Sequence, residues 1–180
     1  MQRITVCDYS ENWPKQYEKL RSLIWPTVSA YALDIQHVGS TSVPGLAAKP
    51  VIDIDIIIES SKNLPDVLRA LASLNYKHRG DLGIVGREAF KKEGAEIAHN
   101  LYVCLDGCLA LRNHLLLRDH LRENPKDCKT YSKLKRELSE KFSDDIEAYT
   151  EGKTKFIIQI LSSYAIEESE LNLIEAVNKK

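Results

Sequence analysis

Hydrophobic residues follow two different spacings along the chain, and the change between them divides it into two parts. In the first part, short runs rich in β-branched residues are separated by glycine and proline, a pattern typical of strands joined by turns. The predicted strands are residues 33–38, 51–58 and 95–105, with a hairpin-like region at 76–94. The run at 51–58, VIDIDIII, is apolar on both faces of a sheet, which favours a central strand.

Apolar residues at helical spacing predict helices before, between and after these strands. One helix begins near residue 11, and the others span 64–74, 109–123, 126–142, 146–166 and 171–177, with a break near Gly152. Because strand patterns end by residue 107, we expect one domain over 1–180, with a sheet-containing core at about 1–107 and a helical segment at about 108–180. The pattern therefore predicts an α/β (α+β) fold, in which a small mixed β-sheet is flanked by helices.

The composition is that of an ordinary globular protein and narrows the choice of partners. Twenty-five Lys and Arg residues against 26 Asp and Glu residues give a net charge of −1, which argues against binding long nucleic acid through its phosphates. The four cysteines include no CxxC pair, which favours reduced, structural thiols. No signal pattern and no apolar run of roughly 20 residues is found, so we expect a cytoplasmic protein with no membrane partner.

Two aspartates, Asp53 and Asp55, lie inside the predicted central strand. Side chains alternate along a strand, so both carboxylates point to one face, with α carbons roughly 6.5–7 Å apart. A solvated sheet face is the ordinary explanation, but Val51 and Ile57 share this face. Two like charges in such surroundings cost stability unless a cation compensates them. The spacing therefore favours a site for Mg²⁺ or Mn²⁺, which bind a few protein carboxylates together with water and substrate phosphates.

A Gly-Ser pair, Gly39-Ser40, follows the preceding strand and begins the connection that leads to the two aspartates. Glycine lets backbone amides approach an anion closely, and a helical turn after it adds a partly positive N-terminus. Thr41, Ser42 and Lys49 extend the polar surface of this connection. We therefore expect Gly39, Ser40, Thr41, Ser42 and Lys49 to bind a nucleotide beside the metal site.

The order Gly-Ser, short connection, Asp-x-Asp resembles the nucleotidyltransferase superfamily, the group with the fold of DNA polymerase beta's catalytic domain. The stretch HVGSTSVPGLAAKPVIDIDI is more closely similar to the signature of one subfamily, the GrpB family. Further similar stretches are GREAF (86–90), HNLYVC (99–104) and HLLLRDHLRENP (114–125), followed by the spaced Tyr131, Leu134, Lys135, Tyr149, Lys153 and Phe156. The resemblance covers nearly the whole chain.

The resemblance implies a nucleotidyltransferase fold, two Mg²⁺ ions held by carboxylates, and transfer of a nucleoside monophosphate from a nucleoside triphosphate to a hydroxyl. Gly39-Ser40 matches the phosphate-binding pair, and Asp53 and Asp55 match the metal ligands. Members that are active enzymes usually add a third carboxylate from a later strand. On the 95–105 strand the residues expected to face inward are instead His99, Asn100 or Tyr102, so we take His99 as the candidate base or ligand.

For four other residues the sequence does not decide between a role in the site and a purely structural role. His37 lies beside the Gly-Ser turn, where it either packs or supports the site. Arg87 lies in a glycine-rich loop and is a candidate phosphate contact. Arg118 and Asp119 either form an exposed ion pair or support the site from the helix.

The basic residues of the helical segment also have two interpretations, whereas two histidines there have only a structural one. Lys133, Lys135 and Arg136 are interpreted first as a solvated face and second as a triphosphate-binding surface, as are Lys153 and Lys155. His114 and His120 are interpreted as surface or packing residues.

The leading hypothesis is metal-dependent transfer of a nucleoside monophosphate to a small-molecule or protein acceptor. The alternative is a nucleotide- or metal-binding protein of the same fold without turnover, which a tyrosine or apolar residue in place of the third carboxylate would favour. A weaker third hypothesis is a zinc hydrolase that uses His37 and His99. The oligomeric state stays open.

Overall fold

The computed structural model describes residues 3–178, which form six helices and five strands. The strands are β1 (Asp34–Val38), β2 (Ile52–Ile58), β3 (Lys77–His78), β4 (Arg87–Lys91) and β5 (His99–Leu105). The helices are α1 (Asn12–Val28), α2 (Leu64–Ser73), α3 (Leu109–Glu123), α4 (Pro125–Lys141), α5 (Ile146–Leu161) and α6 (Glu168–Asn178). No helix within residues 3–178 combines the length and the apolar character that crossing a bilayer requires.

The five strands form one mixed sheet in the order β1-β2-β5-β4-β3. β2 and β5 are parallel, whereas the other three neighbouring pairs are antiparallel. The predicted mixed sheet flanked by helices is confirmed, and the 51–58 run does form an interior strand. Its apolar residues cover both faces because each face is buried under helices.

The two faces of the sheet are buried against different helices. Ile52, Ile54 and Ile56 of β2 pack with Leu101 and Val103 of β5 against α1 and α2, which forms the largest apolar cluster. The opposite face, which we call the acid face, carries Asp53 and Asp55. There α3 covers Ile57 and Cys104 through Leu111. The strand alternation thus places the main core and the candidate site on opposite sides of one sheet.

The C-terminal helices hold the connection between β1 and β2 in place. Val43 and Leu46 of this connection pack against side chains of α3, α4 and α5. The ring of Tyr131 in α4 stacks on that of Phe156 in α5, with centroids 4.8 Å apart. The loop that follows Gly39 is therefore fixed from the helical side.

Helix α5 differs from the predicted helix at Gly152 and at its C-terminal end. It runs unbroken through Gly152 and stops at Leu161. Gly152 is needed for close packing, since a Cβ there would lie 2.5 Å from Leu138 Cδ2 of α4. The glycine that indicated a break instead lets the two helices approach.

We expect Gly152→Val to lower the free energy of unfolding by about 1–3 kcal/mol, because it overpacks the α4–α5 contact. Urea unfolding monitored by circular dichroism measures the change. Lys155→Val on the exposed side of α5 is the control and should stay within about 0.5 kcal/mol. The double variant Gly152→Val/Leu138→Ala should lose less than the sum of its parts. An equal loss in the Gly152 and Lys155 variants would contradict this packing.

Candidate functional site

The turn after β1 brings backbone against the carboxylate of Asp53. Gly39 has φ of +66°, and a Cβ there would collide with the carboxylate of Asp53, which pairs in register with Val38. Only glycine combines this backbone conformation with so close an approach. Ser40–Ser42 then form a single 3₁₀ turn. The predicted Gly-Ser turn and the first aspartate therefore adjoin each other.

The three hydroxyl groups of this turn have different surroundings. Thr41 Oγ1 lies 3.0 Å from His37 Nε2 and donates to the Val51 carbonyl at 3.3 Å, while Ser42 Oγ donates to the Gly39 carbonyl at 2.6 Å. Ser40 lines a cavity beside the turn, and within the described residues its hydroxyl has no hydrogen-bond partner. The Ser40 hydroxyl is thus not engaged within the protein, whereas Ser42, predicted to bind nucleotide, uses its hydroxyl to close the turn.

Asp53 lines that cavity and is held by β5. Asn100 pairs with it in register, and Asn100 Nδ2 donates to Asp53 Oδ1 at 2.8 Å. Burial raises the pKa of Asp53, and the hydrogen bond from Asn100 opposes that rise. The carboxylate is thus partly desolvated and favours a cationic partner.

Asp55 is completely buried, and its main partner comes from α3. His114 Nδ1 donates to Asp55 Oδ2 at 2.7 Å. Burial opposes the charge of His114, but the charge and hydrogen bond of Asp55 outweigh it and raise the pKa of the imidazole. The expectation that His114 is a surface or packing residue is wrong. Sequence separation hid the contact, because nothing in residues 53–55 indicates which face of α3 meets the sheet.

The register of β5 decides which of its residues face the aspartates. Asn100 is the partner of Asp53, and Tyr102 is the partner of Asp55. His99 lies on the opposite face, where its Nε2 is 2.7 Å from the Tyr76 hydroxyl and its Nδ1 is 2.6 Å from the Ile97 carbonyl. The expectation that His99 shares the strand face of the acids is therefore corrected, since a one-residue difference in register reverses the face. His99 nevertheless lines the same cavity as Asp53.

His37 also lies on the face opposite the aspartates. It pairs with Ile54, and its ring stacks on that of Tyr17 with centroids 4.6 Å apart. Burial, followed by the charges of Arg122 and Arg118, lowers its pKa to about 4, so the ring is neutral at ordinary pH. His37 supports the turn through Thr41 and does not reach the acid face.

Three arginines have buried or supporting positions instead of mobile ones. Arg87 begins β4, is 9% exposed and stacks 4.3 Å from the centroid of the Tyr102 ring, so it does not lie in the cavity. Arg118 pairs with Asp119 and donates to the His37 carbonyl at 3.1 Å. Arg122 donates to the Ser42 carbonyl at 2.8 Å. Thus α3 fixes both ends of the Gly39 turn, while the predicted phosphate contact of Arg87 lacks support from its position.

The cavity at Asp53 has a volume of about 990 Å³ and an excess of positive charge. Six basic side chains line it against two acidic ones, which are Asp53 and Glu93. The basic residues are Arg3, Lys49, Lys91, Lys92, Lys135 and Lys153. In a chain with net charge −1, this concentration favours an anionic ligand.

Two of these lysines are unusually enclosed. Lys135 is 2% exposed, and its Nζ donates to the Ala47 carbonyl at 2.5 Å; burial, then the charge of Lys153, lowers its pKa to about 7. Lys153 lies 4.3 Å above the ring of Tyr149, and burial, then Lys49, lowers its pKa to about 8. The solvated-face interpretation is thus wrong for both residues, which face the cavity with Asp53. A buried lysine without a carboxylate partner has a cost that a bound anion would offset.

The two carboxylates fit a hard cation better than they fit zinc. Asp55 Oδ1 is buried and has no hydrogen-bond partner within residues 3–178. In the same residues, no group of three or more His, Cys, Asp and Glu side chains is arranged to hold a metal. Mg²⁺ and Mn²⁺ take the rest of their ligands from water and phosphate, whereas zinc needs three or four protein ligands. The zinc site hypothesised from His37 and His99 has no support from the sheet register, which puts both histidines on the strand face opposite Asp53 and Asp55.

Comparison with protein families and curated proteins gives a consistent group of relatives. The family described as GrpB protein matches residues 3–163. The chain is 34% identical over 164 residues to glutamate-rich protein GrpB of Alkalihalophilus pseudofirmus, covering 88% of this chain and 94% of that protein. It is 33% identical over 159 residues to UPF0157 protein YqkA of Bacillus subtilis, covering 86% of this chain and 45% of YqkA. The chain therefore spans less than half the length of YqkA.

Solved structures show the same fold. The crystal structure of conserved protein GrpB from Enterococcus faecalis superposes with a TM-score of 0.79 and 30% identity, over 94% of this chain and 98% of that one. The Cid1 poly(U) polymerase, solved with MgGTP bound, gives a TM-score of 0.51 and 13% identity over 75% of this chain and 44% of its own. At that identity the likeness to Cid1 shows a shared fold and nothing further.

We expect Lys135→Met to change how stability depends on pH. Between about pH 7 and pH 10, Lys135 is neutral in the folded chain but protonated in the unfolded chain. The unfolded chain then binds more protons, so the wild type gains stability as the pH rises through this window. The variant lacks this gain. Its free energy of unfolding should therefore exceed that of the wild type most at pH 6, and the difference should shrink towards pH 10.

Urea unfolding at pH 6, 8 and 10 measures the difference. Lys133→Met is the matched control, because the Lys133 side chain is 80% exposed on the same helix. Its difference from the wild type should not vary with pH. Parallel pH profiles for the wild type and Lys135→Met would show that Lys135 does not carry a lowered pKa.

Proposed function

Because the chain belongs to the GrpB family and has a nucleotidyltransferase fold, we propose that it transfers a nucleoside monophosphate from a nucleoside triphosphate to a hydroxyl. The acceptor is a small molecule or a protein side chain, and the reaction depends on Mg²⁺ or Mn²⁺. One observation carries the proposal: Asp53, the Gly39 turn and the enclosed lysines Lys135 and Lys153 all face one cavity.

The residues that line this cavity are suited to bind the triphosphate part of the nucleotide. Lys49, Lys135 and Lys153 supply positive charge on one wall, and Ser40 supplies a hydroxyl on another. Lysine binds phosphate as a point charge, and desolvated lysines bind it more strongly than exposed ones. The binding of a phosphate group would restore the proton that burial removes from Lys135 near neutral pH.

The chain's own residues position the reacting groups. A bound Mg²⁺ or Mn²⁺ would neutralise phosphate oxygens, and Asp53 and Asp55 would hold it. Lys135 and Lys153 stabilise charge that develops on the departing pyrophosphate as the α–β phosphoanhydride bond breaks and the bond to the acceptor oxygen forms. The acceptor's proton leaves to water in the open cavity, since β5 places no carboxylate or histidine on the acid face to receive it.

A second candidate is a nucleotide-binding protein that has lost turnover. Asn100 and Tyr102 favour it, because they occupy the two β5 positions in register with Asp53 and Asp55. An amide there cannot act as a base, and neither an amide nor a neutral phenol supplies the negative charge of a third carboxylate. Binding of a metal-chelated triphosphate is common to both candidates, so the first experiment tests binding and the second tests transfer.

We expect a nucleoside triphosphate to raise the melting temperature only when Mg²⁺ or Mn²⁺ is present. At 100 times its dissociation constant the ligand adds about 2.7 kcal/mol to the free energy of unfolding. For a chain of this size, that corresponds to an increase of about 5–10 °C. Differential scanning fluorimetry with each of the four common triphosphates, with and without metal, measures it.

Asp53→Asn/Asp55→Asn should fold and lose this increase, because the carboxylates would no longer hold the cation. Asp106→Asn/Asp144→Asn, which alters two exposed acids, should retain it. An unchanged melting temperature with all four triphosphates and both metals would overturn the proposal.

We expect transfer to appear as release of pyrophosphate that depends on an acceptor. The chain is incubated with α-labelled triphosphates, Mg²⁺ and a metabolite extract, and mass spectrometry follows the added nucleoside monophosphate on metabolites and on protein. A labelled product that the Asp53→Asn/Asp55→Asn variant does not form supports transfer. A triphosphate that binds but remains intact in every extract would establish the second candidate.

A further inference from the structure

The oxygens of the two aspartates are unequally available to a metal. Asp53 Oδ1 accepts from Asn100 Nδ2 at 2.8 Å, and Asp55 Oδ2 accepts from His114 Nδ1 at 2.7 Å. Each carboxylate thus has one oxygen committed to a protein donor in a poorly solvated site. The remaining oxygen of Asp55, Oδ1, is buried without a partner in the described residues. One oxygen on each side chain is left as the better ligand.

A pair of cations would need more ligands than these two oxygens. Two-metal sites hold their ions about 3.5–4 Å apart through carboxylates that bridge them. The β5 positions in register with Asp53 and Asp55 carry Asn100 and Tyr102 instead. No other histidine, cysteine, aspartate or glutamate within residues 3–178 completes a metal-binding group there. The acid face of the sheet therefore offers two negative charges, which suit one divalent cation and its waters.

A permanent positive charge occupies the inner side of the site. The guanidinium of Arg87 lies 4.3 Å from the centroid of the Tyr102 ring, and Tyr102 is the partner of Asp55. Arg87 is 9% exposed, so water screens its charge weakly. Each cation added near Asp55 would be repelled by this charge, and no third carboxylate is present on β5 to compensate a second one.

We propose that the acid face of the sheet holds one divalent cation, shared by Asp53 Oδ2 and Asp55 Oδ1, in place of the two that the family resemblance implies. The inference rests on the metal-dependent function proposed above and makes it more specific. Asn100 and His114 are positioning residues, since each holds one carboxylate oxygen away from the cation. Any further neutralisation of the triphosphate comes from Lys49, Lys135 and Lys153, whose amines take the place of a second cation.

Electron paramagnetic resonance of Mn²⁺ tests the number of cations directly. The full chain is titrated with Mn²⁺ in the presence of one equivalent of a non-hydrolysable triphosphate analogue, and the analogue alone serves as the baseline. We expect one Mn²⁺ per chain and the spectrum of an isolated ion. Asn100→Asp supplies a third carboxylate beside Asp53 and should bind a second Mn²⁺ whose spectrum is coupled to the first. Asn12→Asp, at an exposed position on α1, is the control and should still bind one Mn²⁺ per chain.

The outcomes separate this inference from the proposed function. A coupled pair of Mn²⁺ ions in the wild type would overturn the single-cation site and leave metal-dependent function standing. Absence of Mn²⁺ binding, with and without the analogue, would overturn both. If folded Asn100→Asp bound only one Mn²⁺, Asn100 would not be the residue that limits the site to one cation. The wild-type spectrum remains decisive if Asn100→Asp does not fold.

Discussion

The approach of the Asp53 carboxylate to the backbone of Gly39 is the constraint on which the rest of the site depends. It requires a glycine with positive φ at the end of β1, and it requires β1 and β2 to pair so that Val38 lies opposite Asp53. Helix α3 then secures this arrangement from outside, because Arg118 binds the His37 carbonyl and Arg122 binds the Ser42 carbonyl. The geometry of one turn thus links the sheet to the helical segment.

The helical segment contributes charge as well as support. Ser132 and Lys135 of α4 bind the backbone of Ala47, so the connection between β1 and β2 is anchored to the helix that also carries a cavity lysine. Burial of Lys135 and Lys153 costs stability in the absence of an anion, because no carboxylate forms an ion pair with either amine in the described residues. Such a cost is typical of a functional site, where binding requirements override the stability of the unliganded chain.

Local patterns in the sequence predicted the parts of this site that lie close together in the chain. The β-branched run around Asp53 and the glycine at 39 indicated an interior strand and a tight turn, and the mixed sheet flanked by helices is confirmed. Long-range contacts were not accessible in this way. The prediction put His99 on the same face as the acids, whereas the observed register of β5 puts it on the opposite face. The packing of α3 brings His114 to Asp55, which lies 59 positions away in the chain. Lysines on an amphipathic helix look solvated until the packing of that helix is known.

The proposed function requires the cavity at Asp53 to bind a metal-chelated triphosphate. Anomalous diffraction from crystals grown with Mn²⁺ and a non-hydrolysable triphosphate tests it most directly. We expect an anomalous peak at the carboxylates of Asp53 and Asp55, with the phosphates lying between that peak and the amines of Lys135 and Lys153. A triphosphate bound elsewhere, or a cavity that holds neither metal nor phosphate at saturating concentrations, would contradict it.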